Sequence, residues 1–219
     1  MSKEYTKKLE GIIKQMLKPL KGIPLRLVIE GISGCKINPF DKNNSKDSQL
    51  LKKLTKAADI AGKEINKTGI AESRPNEVGN ASEPFVKNAL NKIGYNADKP
   101  LAASGKKKAA GYPDLEFIDE FGRTNYLECK TFNIKNVSTT QRAFYLSPSR
   151  DFKVTKDAHH FVMSFEVYVS ERKGGDTIYK TKSWKILSIE NLDVDVKYEF
   201  NTDNARMYAK ELILAEGKI

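Results

Sequence analysis

Apolar residues recur at the spacing of an α-helix in three stretches of the first half of the chain. They predict amphipathic helices over residues 3–20, 47–65 and 80–93. Asn80 or Ser82 is expected to cap the third helix, with Pro84 in its first turn and Gly94 at its end. The shorter apolar run over residues 25–29 favours a strand.

In the second half, apolar and polar residues alternate, which is typical of β-strands with one buried face. The alternation predicts main strands over residues 113–118, 126–132, 161–169 and 177–189, and shorter strands at 95–102 and 194–200. A closing helix is expected over residues 204–215. This order of elements predicts an α/β fold of the α+β kind, in one domain over residues 1–219. Residues 1–71 would form an N-terminal helical subdomain, and residues 72–219 the core that carries the candidate site.

The two strands on either side of the turn at residues 119–123 are expected to form a hairpin. Such a hairpin can place Asp114 beside Glu128. Because side chains alternate across a strand, Lys130 shares a face with Glu128, whereas the Cys129 side chain points to the other face. Two carboxylates and a lysine therefore converge on one edge of the predicted sheet.

This cluster has the composition of a site that cleaves phosphodiester bonds. Mg²⁺ prefers oxygen ligands, activates water and neutralises charge on a phosphate. Asp114, Glu128 and the backbone carbonyl of Cys129 are the expected ligands. Lys130 is expected to orient the attacking water or to hold the scissile phosphate. An exposed hairpin with solvated charges is the alternative that these residues alone leave open.

The motif halves Pro113-Asp114 and Glu128-Cys129-Lys130, separated by a hairpin, resemble the PD-(D/E)xK nuclease superfamily, which contains most type II restriction endonucleases. The resemblance covers residues 77–169. It implies a restriction-endonuclease-like core, with a central sheet of mixed direction flanked by helices. It also implies a catalytic acidic residue on the preceding helix that binds metal or water, for which Glu83 is preferred to Glu77.

Lysine and arginine number 38 against 28 aspartates and glutamates, which gives a net charge of +10. This balance suits a polyanionic partner, although a generally basic surface fits it equally well. The basic and hydroxyl-bearing segments that flank the hairpin are expected to contact DNA phosphates or base edges. They supply Ser104, Lys106, Lys107, Lys108, Gln141, Arg142, Ser147, Ser149, Arg150 and Lys153.

Several functional classes are disfavoured. No apolar run approaches the roughly 20 residues of a membrane helix, and the N-terminus has no apolar signal core, so a cytoplasmic protein is expected. Cys35 and Cys129 form neither a disulfide framework nor a metal motif. The loop over residues 31–44 lacks the Gly-Lys-Ser/Thr ending of a phosphate-binding loop. His159 and His160 are expected to pack rather than to bind metal.

The resemblance and the lack of an ATPase segment lead to the expectation of a type II restriction endonuclease. It would use Mg²⁺ to cut double-stranded DNA at a short, palindromic site, as a homodimer with one active site per strand. The cell would then contain a DNA methyltransferase that protects the same site. The alternatives are a DNA repair or junction-resolving nuclease of the same fold, and a non-catalytic DNA-binding module whose carboxylates are structural.

Overall fold

A computed structural model describes residues 2–18, 20–73, 77–138, 143–144, 146–173, 175–198, 202–207 and 209–213. The helices are α1 (Lys3–Met16), α2 (Leu25–Ser33), α3 (Ser45–Thr68), α4 (Val78–Lys92) and α5 (Asn204–Met207). The strands are β1 (Ile23–Pro24), β2 (Ile70–Glu72), β3 (Leu115–Ile118), β4 (Thr124–Phe132), β5 (His159–Lys173), β6 (Asp176–Ser188) and β7 (Asp193–Val194). Short 3₁₀ turns lie at Ile134–Asn136 and Lys210–Leu212. In these described ranges, no helix is both long and apolar enough to cross a membrane.

Five strands form one sheet in the order β2-β6-β5-β4-β3. β4 and β5 run parallel, whereas the other neighbouring pairs of this sheet are antiparallel. The sheet is therefore of mixed direction, and the prediction of an α+β fold around a central mixed sheet is confirmed. The strand that carries Glu128, Cys129 and Lys130 is β4, which has a neighbour on both sides.

Helices α3 and α4 pack together and against one face of this sheet. The shared core includes Leu54, Ala58, Val86, Leu90, Leu127, Cys129 and Phe161. Burial of each large side chain in such a core stabilises the fold by about 1.5–3 kcal/mol. Because alternate residues of a strand face opposite sides, Glu128 and Lys130 lie on the sheet face that is turned away from this core.

The turn between β3 and β4 fixes how the two strands pair. Gly122 has a left-handed φ of 74°, and its N–H donates to the Asp119 carbonyl at 3.0 Å. The Asp119 side chain accepts hydrogen bonds from the N–H groups of Phe121 and Arg123, both at 2.9 Å. This hydrogen-bonded turn holds the antiparallel register of β3 and β4.

Residues 25–29 form the beginning of helix α2, so the strand predicted there is wrong. Apolar residues fall at helical spacing once the run is followed to Ser33; they are Leu25, Val28, Ile29 and Ile32. Gly34 ends the helix with a left-handed φ of 72°. Five residues were too few to separate a buried strand from one and a half turns of helix.

Helix α4 begins at Val78, and this corrects the predicted cap. Asn80 and Ser82 lie inside the helix, where the Ser82 hydroxyl donates to the Gly79 carbonyl at 2.6 Å. Pro84 lies in the helix interior rather than in the first turn. Ser and Asn compete for both cap and interior hydrogen bonds, so their presence alone did not identify the helix start.

The strand predicted over residues 95–102 is also corrected. Only isolated bridges occur there in the described chain, and they join Asp98 to Glu116 and Leu101 to Lys107. The strand predicted over residues 194–200 is reduced to β7 within the described residues, and the closing helix to α5 and the last 3₁₀ turn. Neither β7 nor the 3₁₀ turn belongs to the five-stranded sheet.

The residues fall into two compact units when they are grouped by their internal contacts. One unit comprises Met1–Ile23 and Asp193–Ile219, and in it the Val196 N–H donates to the Leu20 carbonyl at 2.8 Å. The other unit, Pro24–Leu192, holds the five-stranded sheet and helices α2 to α4. The predicted helical subdomain over residues 1–71 stays a prediction.

Candidate active site

The candidate carboxylates meet at the end of the β3–β4 hairpin that is remote from its turn. Leu115 pairs with Leu127, so Asp114 lies across from Glu128. The Asp114 Oδ2 atom accepts a hydrogen bond from the Cys129 N–H at 2.8 Å. The hairpin therefore brings together the two acidic residues of the motif and fixes the first to the backbone of the second strand.

Lys130 completes the motif on the same face of β4. Its Nζ atom lies 2.7 Å from Glu128 Oε1, and the side chains of Lys130 and Glu128 are 28% and 7% exposed. The other carboxylate oxygen, Glu128 Oε2, is buried and has no hydrogen-bond partner among the described residues. A buried carboxylate oxygen without a hydrogen-bond donor destabilises the fold, so this atom is suited to bind a cation or to accept a hydrogen bond from water.

The electrostatics of the pair favour a bound cation. Burial, and then the charge of Glu128, raise the pKa of Asp114 to about 6. Burial also raises the pKa of Glu128, although the Lys130 ammonium opposes this effect. Two carboxylates that repel each other in a partly desolvated site are stabilised in their charged form by a positive ion between them.

Glu83 approaches the same cluster from helix α4. Its side chain is 15% exposed and lies 3.4 Å from the Lys99 ammonium. Burial, and then the charge of Asp114, raise the pKa of the Glu83 carboxyl. Glu77 instead precedes the first residue of α4 and is exposed. Of the two candidates for the additional acidic residue, Glu83 is therefore the one that lies near the hairpin.

A cleft of about 1110 Å³ opens over these residues. It is lined by Asp114, Glu128 and Lys130 from the hairpin, by Glu83 from α4, and by residues of the segment 146–154 that include Ser147 and Ser149. Its walls therefore combine the carboxylate cluster with hydroxyl groups and lysine side chains. Such a wall suits a phosphate backbone better than an apolar ligand.

The predicted DNA contacts are placed in different environments. Lys106, Ser147, Ser149 and Arg150 are exposed. Lys107 forms an ion pair with Asp98 at 2.5 Å, and Lys108 with Asp151 at 2.7 Å. The Ser104 N–H and hydroxyl both donate to the Asp151 carboxylate, at 2.8 and 3.1 Å. Gln141 and Arg142 lie outside the described residues.

Lys153 differs from the other predicted DNA contacts because its side chain is buried at the cleft. The residue is only 3% exposed. Its Nζ atom donates to the carbonyls of Gly111 at 2.6 Å and Pro113 at 3.1 Å. The sequence does not indicate that this lysine and Lys99 are neighbours of the carboxylates, because both lie in loops without periodicity.

The residues present fit a hard divalent cation that is completed by water. In the described part of the chain, no three histidine, cysteine, aspartate or glutamate side chains converge tightly enough to form a metal site by themselves. Asp114, the free Oε2 atom of Glu128 and the Cys129 carbonyl are all oxygen donors. Oxygen donors of this kind suit a hard divalent cation that keeps several water ligands.

His160 supports the segment that leads into Asp114. It is 1% exposed, and its Nδ1 atom lies 2.6 Å from the hydroxyl of Tyr112. Burial raises the pKa of Tyr112 well above its ordinary value, so the phenol stays protonated and shares this hydrogen bond with the imidazole. His160 is therefore a buried residue that is hydrogen-bonded to Tyr112.

A dependence of stability on pH follows from this buried imidazole. Burial lowers the pKa of His160 from 6.5 to about 3. Between these values the unfolded chain binds a proton that the folded chain does not, so stability falls as the pH falls through this window. From pH 6.5 to 4.5 we expect wild type to lose roughly 2 kcal/mol more than His160→Asn, which keeps a polar partner for Tyr112. Urea unfolding at both pH values measures this difference, and equal losses would contradict it.

Comparisons with known proteins identify the family of this chain. Residues 19–211 match the family described as the Type II restriction enzyme MjaV family. The chain is 39% identical to the type II restriction enzyme MjaV of Methanocaldococcus jannaschii, in an alignment that covers 98% of this chain and 97% of that protein. Among solved structures, tetrameric restriction endonuclease SfiI bound to cognate DNA is similar with a TM-score of 0.39 and 14% identity, over 69% of each chain.

Proposed function

The chain belongs to the MjaV family of type II restriction enzymes, and from this premise we propose that its deoxyribonuclease activity resides in Asp114, Glu128 and Lys130. The observation that supports this site is the juxtaposition of two partly desolvated carboxylates with a lysine at the floor of the cleft. Chemically the reaction is the hydrolysis of phosphodiester bonds in double-stranded DNA at a short specific site, with Mg²⁺ as the cofactor.

Asp114, Glu128 and the Cys129 carbonyl would hold the metal. When bound, Mg²⁺ supplies an activated water and offsets the negative charge that develops on the phosphate. The protein contributes the placement of the oxygen donors. The Cys129 N–H holds one oxygen of Asp114, which leaves the second oxygen of that carboxylate for the cation.

Lys130 and Glu83 act around these ligands. The Lys130 ammonium lines the cleft, where it can donate to a phosphate oxygen or to the attacking water. It also neutralises Glu128 across 2.7 Å. Burial and the nearby charge of Asp114 raise the pKa of Glu83. This carboxyl group can hold a water molecule or serve as an additional ligand.

Exposed cations around the cleft would bind the duplex. Lys106 and Arg150 are exposed, and Ser147 and Ser149 line the cleft with hydroxyl groups. Cations at such positions contribute affinity that is independent of sequence and falls with added salt. Lys107 and Lys108 would have to exchange their aspartate partners for phosphates to take part. Gln141 and Arg142 are retained as candidate contacts from the sequence.

The assembly and its setting follow from cleavage of both strands. If the site is palindromic, a homodimer with two-fold symmetry presents one carboxylate cluster to each strand. Sedimentation of the protein with uncut DNA would then give the mass of two protein chains plus one DNA duplex. A cell that contains the enzyme needs a DNA methyltransferase to protect the same sequence. Cys35 and Cys129 are both free thiols, which fits the reducing cytoplasm.

The direct test is digestion of unmethylated phage DNA by the purified protein. With Mg²⁺ we expect a fixed set of discrete fragments, because only a short specific sequence is cut. Addition of excess EDTA should abolish the fragments, and Mg²⁺ added back should restore them. A smear of products would point to a nuclease without site preference, and fragments that persist in EDTA would contradict the metal-dependent mechanism.

A further inference from the structure

Lys153 is a buried lysine on the wall of the cleft, directly behind the segment that leads into Asp114. Its ammonium donates to the carbonyls of Gly111 and Pro113, at 2.6 and 3.1 Å. These carbonyls belong to the residues that immediately precede the first carboxylate of the site. The lysine therefore joins the segment 151–154 to the backbone that sets the position of Asp114.

A buried ammonium is unfavourable unless it is compensated, and here the compensation comes from the site itself. The charges of Asp114, Glu128 and Glu83 all stabilise the protonated lysine, against the desolvation that lowers its pKa. Three carboxylates are thus balanced by three ammonium groups, those of Lys130, Lys99 and Lys153. Lys153 is 3% exposed, so its ammonium depends on these specific partners and does not behave as a solvated surface charge.

The geometry does not suit a phosphate contact. Two of the three N–H groups of Lys153 are already donated to backbone carbonyls. Without the lysine, two carbonyls in a partly buried segment would lose their donor, and the segment would be free to shift. By contrast, Lys106 and Arg150 reach solvent and can bind phosphates without disturbing the backbone.

We propose that Lys153 is a positioning residue for cleavage, which clamps the Gly111 and Pro113 carbonyls and thereby holds the Asp114 carboxylate against the Cys129 N–H. This role rests on the proposed function of Asp114. A displacement of about 1 Å at a reacting group can reduce catalysis by about 100-fold, so a clamp on the backbone before Asp114 acts strongly without touching the substrate.

The test compares three variants of the full-length protein. Lys153→Met removes the donor and keeps the aliphatic stem, Lys153→Arg keeps a cation with donors, and Lys156→Met is the control. Lys156 is a neighbouring lysine, 51% exposed, whose ammonium pairs with Glu116 at 2.6 Å outside the cleft. For Lys153→Met we expect kcat to fall by about 10- to 100-fold with KM for a cut DNA fragment unchanged within about twofold.

A second measurement is independent of activity. The Cys129 amide donates to Asp114, so its hydrogen exchange reports whether that carboxylate is held. We expect it to exchange at least about tenfold faster in Lys153→Met, to recover in Lys153→Arg, and to match wild type in Lys156→Met. If Lys153→Met does not fold, Lys153→Arg provides the test, since it retains a cation with donors. Wild-type values of kcat, KM and Cys129 amide exchange in this variant support the clamp.

Two outcomes would overturn the role of Lys153. One is a raised KM with an unchanged kcat and a weaker salt dependence, which is the behaviour of a phosphate contact. The other is unchanged exchange at Cys129 in a folded Lys153→Met protein. Failure of the proposed function is distinguishable, because it would appear as normal cleavage by an Asp114 variant and would leave the exchange measurement unaffected.

Discussion

An Asp114→Asn variant is expected to bind DNA and to cut it about 1000-fold more slowly than wild type, a loss of some 4 kcal/mol in transition-state stabilisation. The amide has the shape of the carboxylate, so the hydrogen bond from the Cys129 N–H can persist. What is lost is the negative charge that a cation needs. Binding should be retained or tightened, because one charge that repels the phosphate backbone is removed.

The same substitution should make the metal-free protein more stable. Burial and Glu128 raise the pKa of Asp114 from 3.8 to about 6, so the ionised side chain destabilises the folded state at pH 7. Removal of the charge is therefore expected to increase the free energy of unfolding by roughly 2 kcal/mol, with allowance for the partial exposure of the residue. Denaturant unfolding without Mg²⁺ measures this gain.

Glu116→Gln is the matched control for Asp114→Asn. Glu116 is the next acidic residue along the same hairpin arm, and it pairs with Lys156 outside the cleft. Its loss should leave cleavage within about twofold of wild type, since exposed ion pairs contribute little. If Glu116→Gln lost activity and Asp114→Asn kept it, the ligand assignment on this strand would be reversed.

Lys130→Met is expected to bind DNA within about threefold of wild type and to lose about 10²- to 10⁴-fold in cleavage. The substitution keeps the aliphatic stem and removes the ammonium that faces the cleft. It also removes the partner of Glu128 Oε1, so the pKa of Glu128 should rise further above its ordinary value. Single-turnover cleavage together with a DNA-binding isotherm separates the chemical effect from affinity.

Lys67→Met provides the comparison for the loss of one positive charge. Lys67 lies on α3 with a side chain that is 78% exposed. Both variants change the net charge equally, but only Lys130→Met should affect the chemical step. Near-normal cleavage by Lys130→Met would show that another group orients the water or the phosphate.

The hairpin and the meeting of its charged side chains could be predicted from the sequence because they are local. Asp114 and Glu128 are separated by a short turn, and alternation along β4 determines which residues share a face. Glu83 was also predictable, since a helix of regular periodicity carries it to the hairpin. These are the parts of the site for which spacing along the chain translates directly into position.

The lysines around the carboxylates were less predictable, for a physical reason. Lys99 and Lys153 lie in irregular segments, and their contacts with Glu83 and with the Gly111 and Pro113 carbonyls depend on tertiary packing. The net charge of +10 gave no sign that the lysines of one basic loop are divided between solvent and aspartate partners. A count of charges predicts a polyanionic partner but not which cations remain available to it.

The hydrogen-bonded turn at Asp119 and Gly122 has a consequence at the opposite end of the hairpin. Odd- and even-numbered side chains of a strand point to opposite faces, so a shift of β4 by one residue would exchange its two faces. Glu128 would then enter the apolar core, and the Cys129 thiol would occupy the floor of the cleft. The hydrogen bonds that Asp119 accepts from Phe121 and Arg123 thus help to determine which side chains of β4 face the cleft, although they lie at the other end of the hairpin.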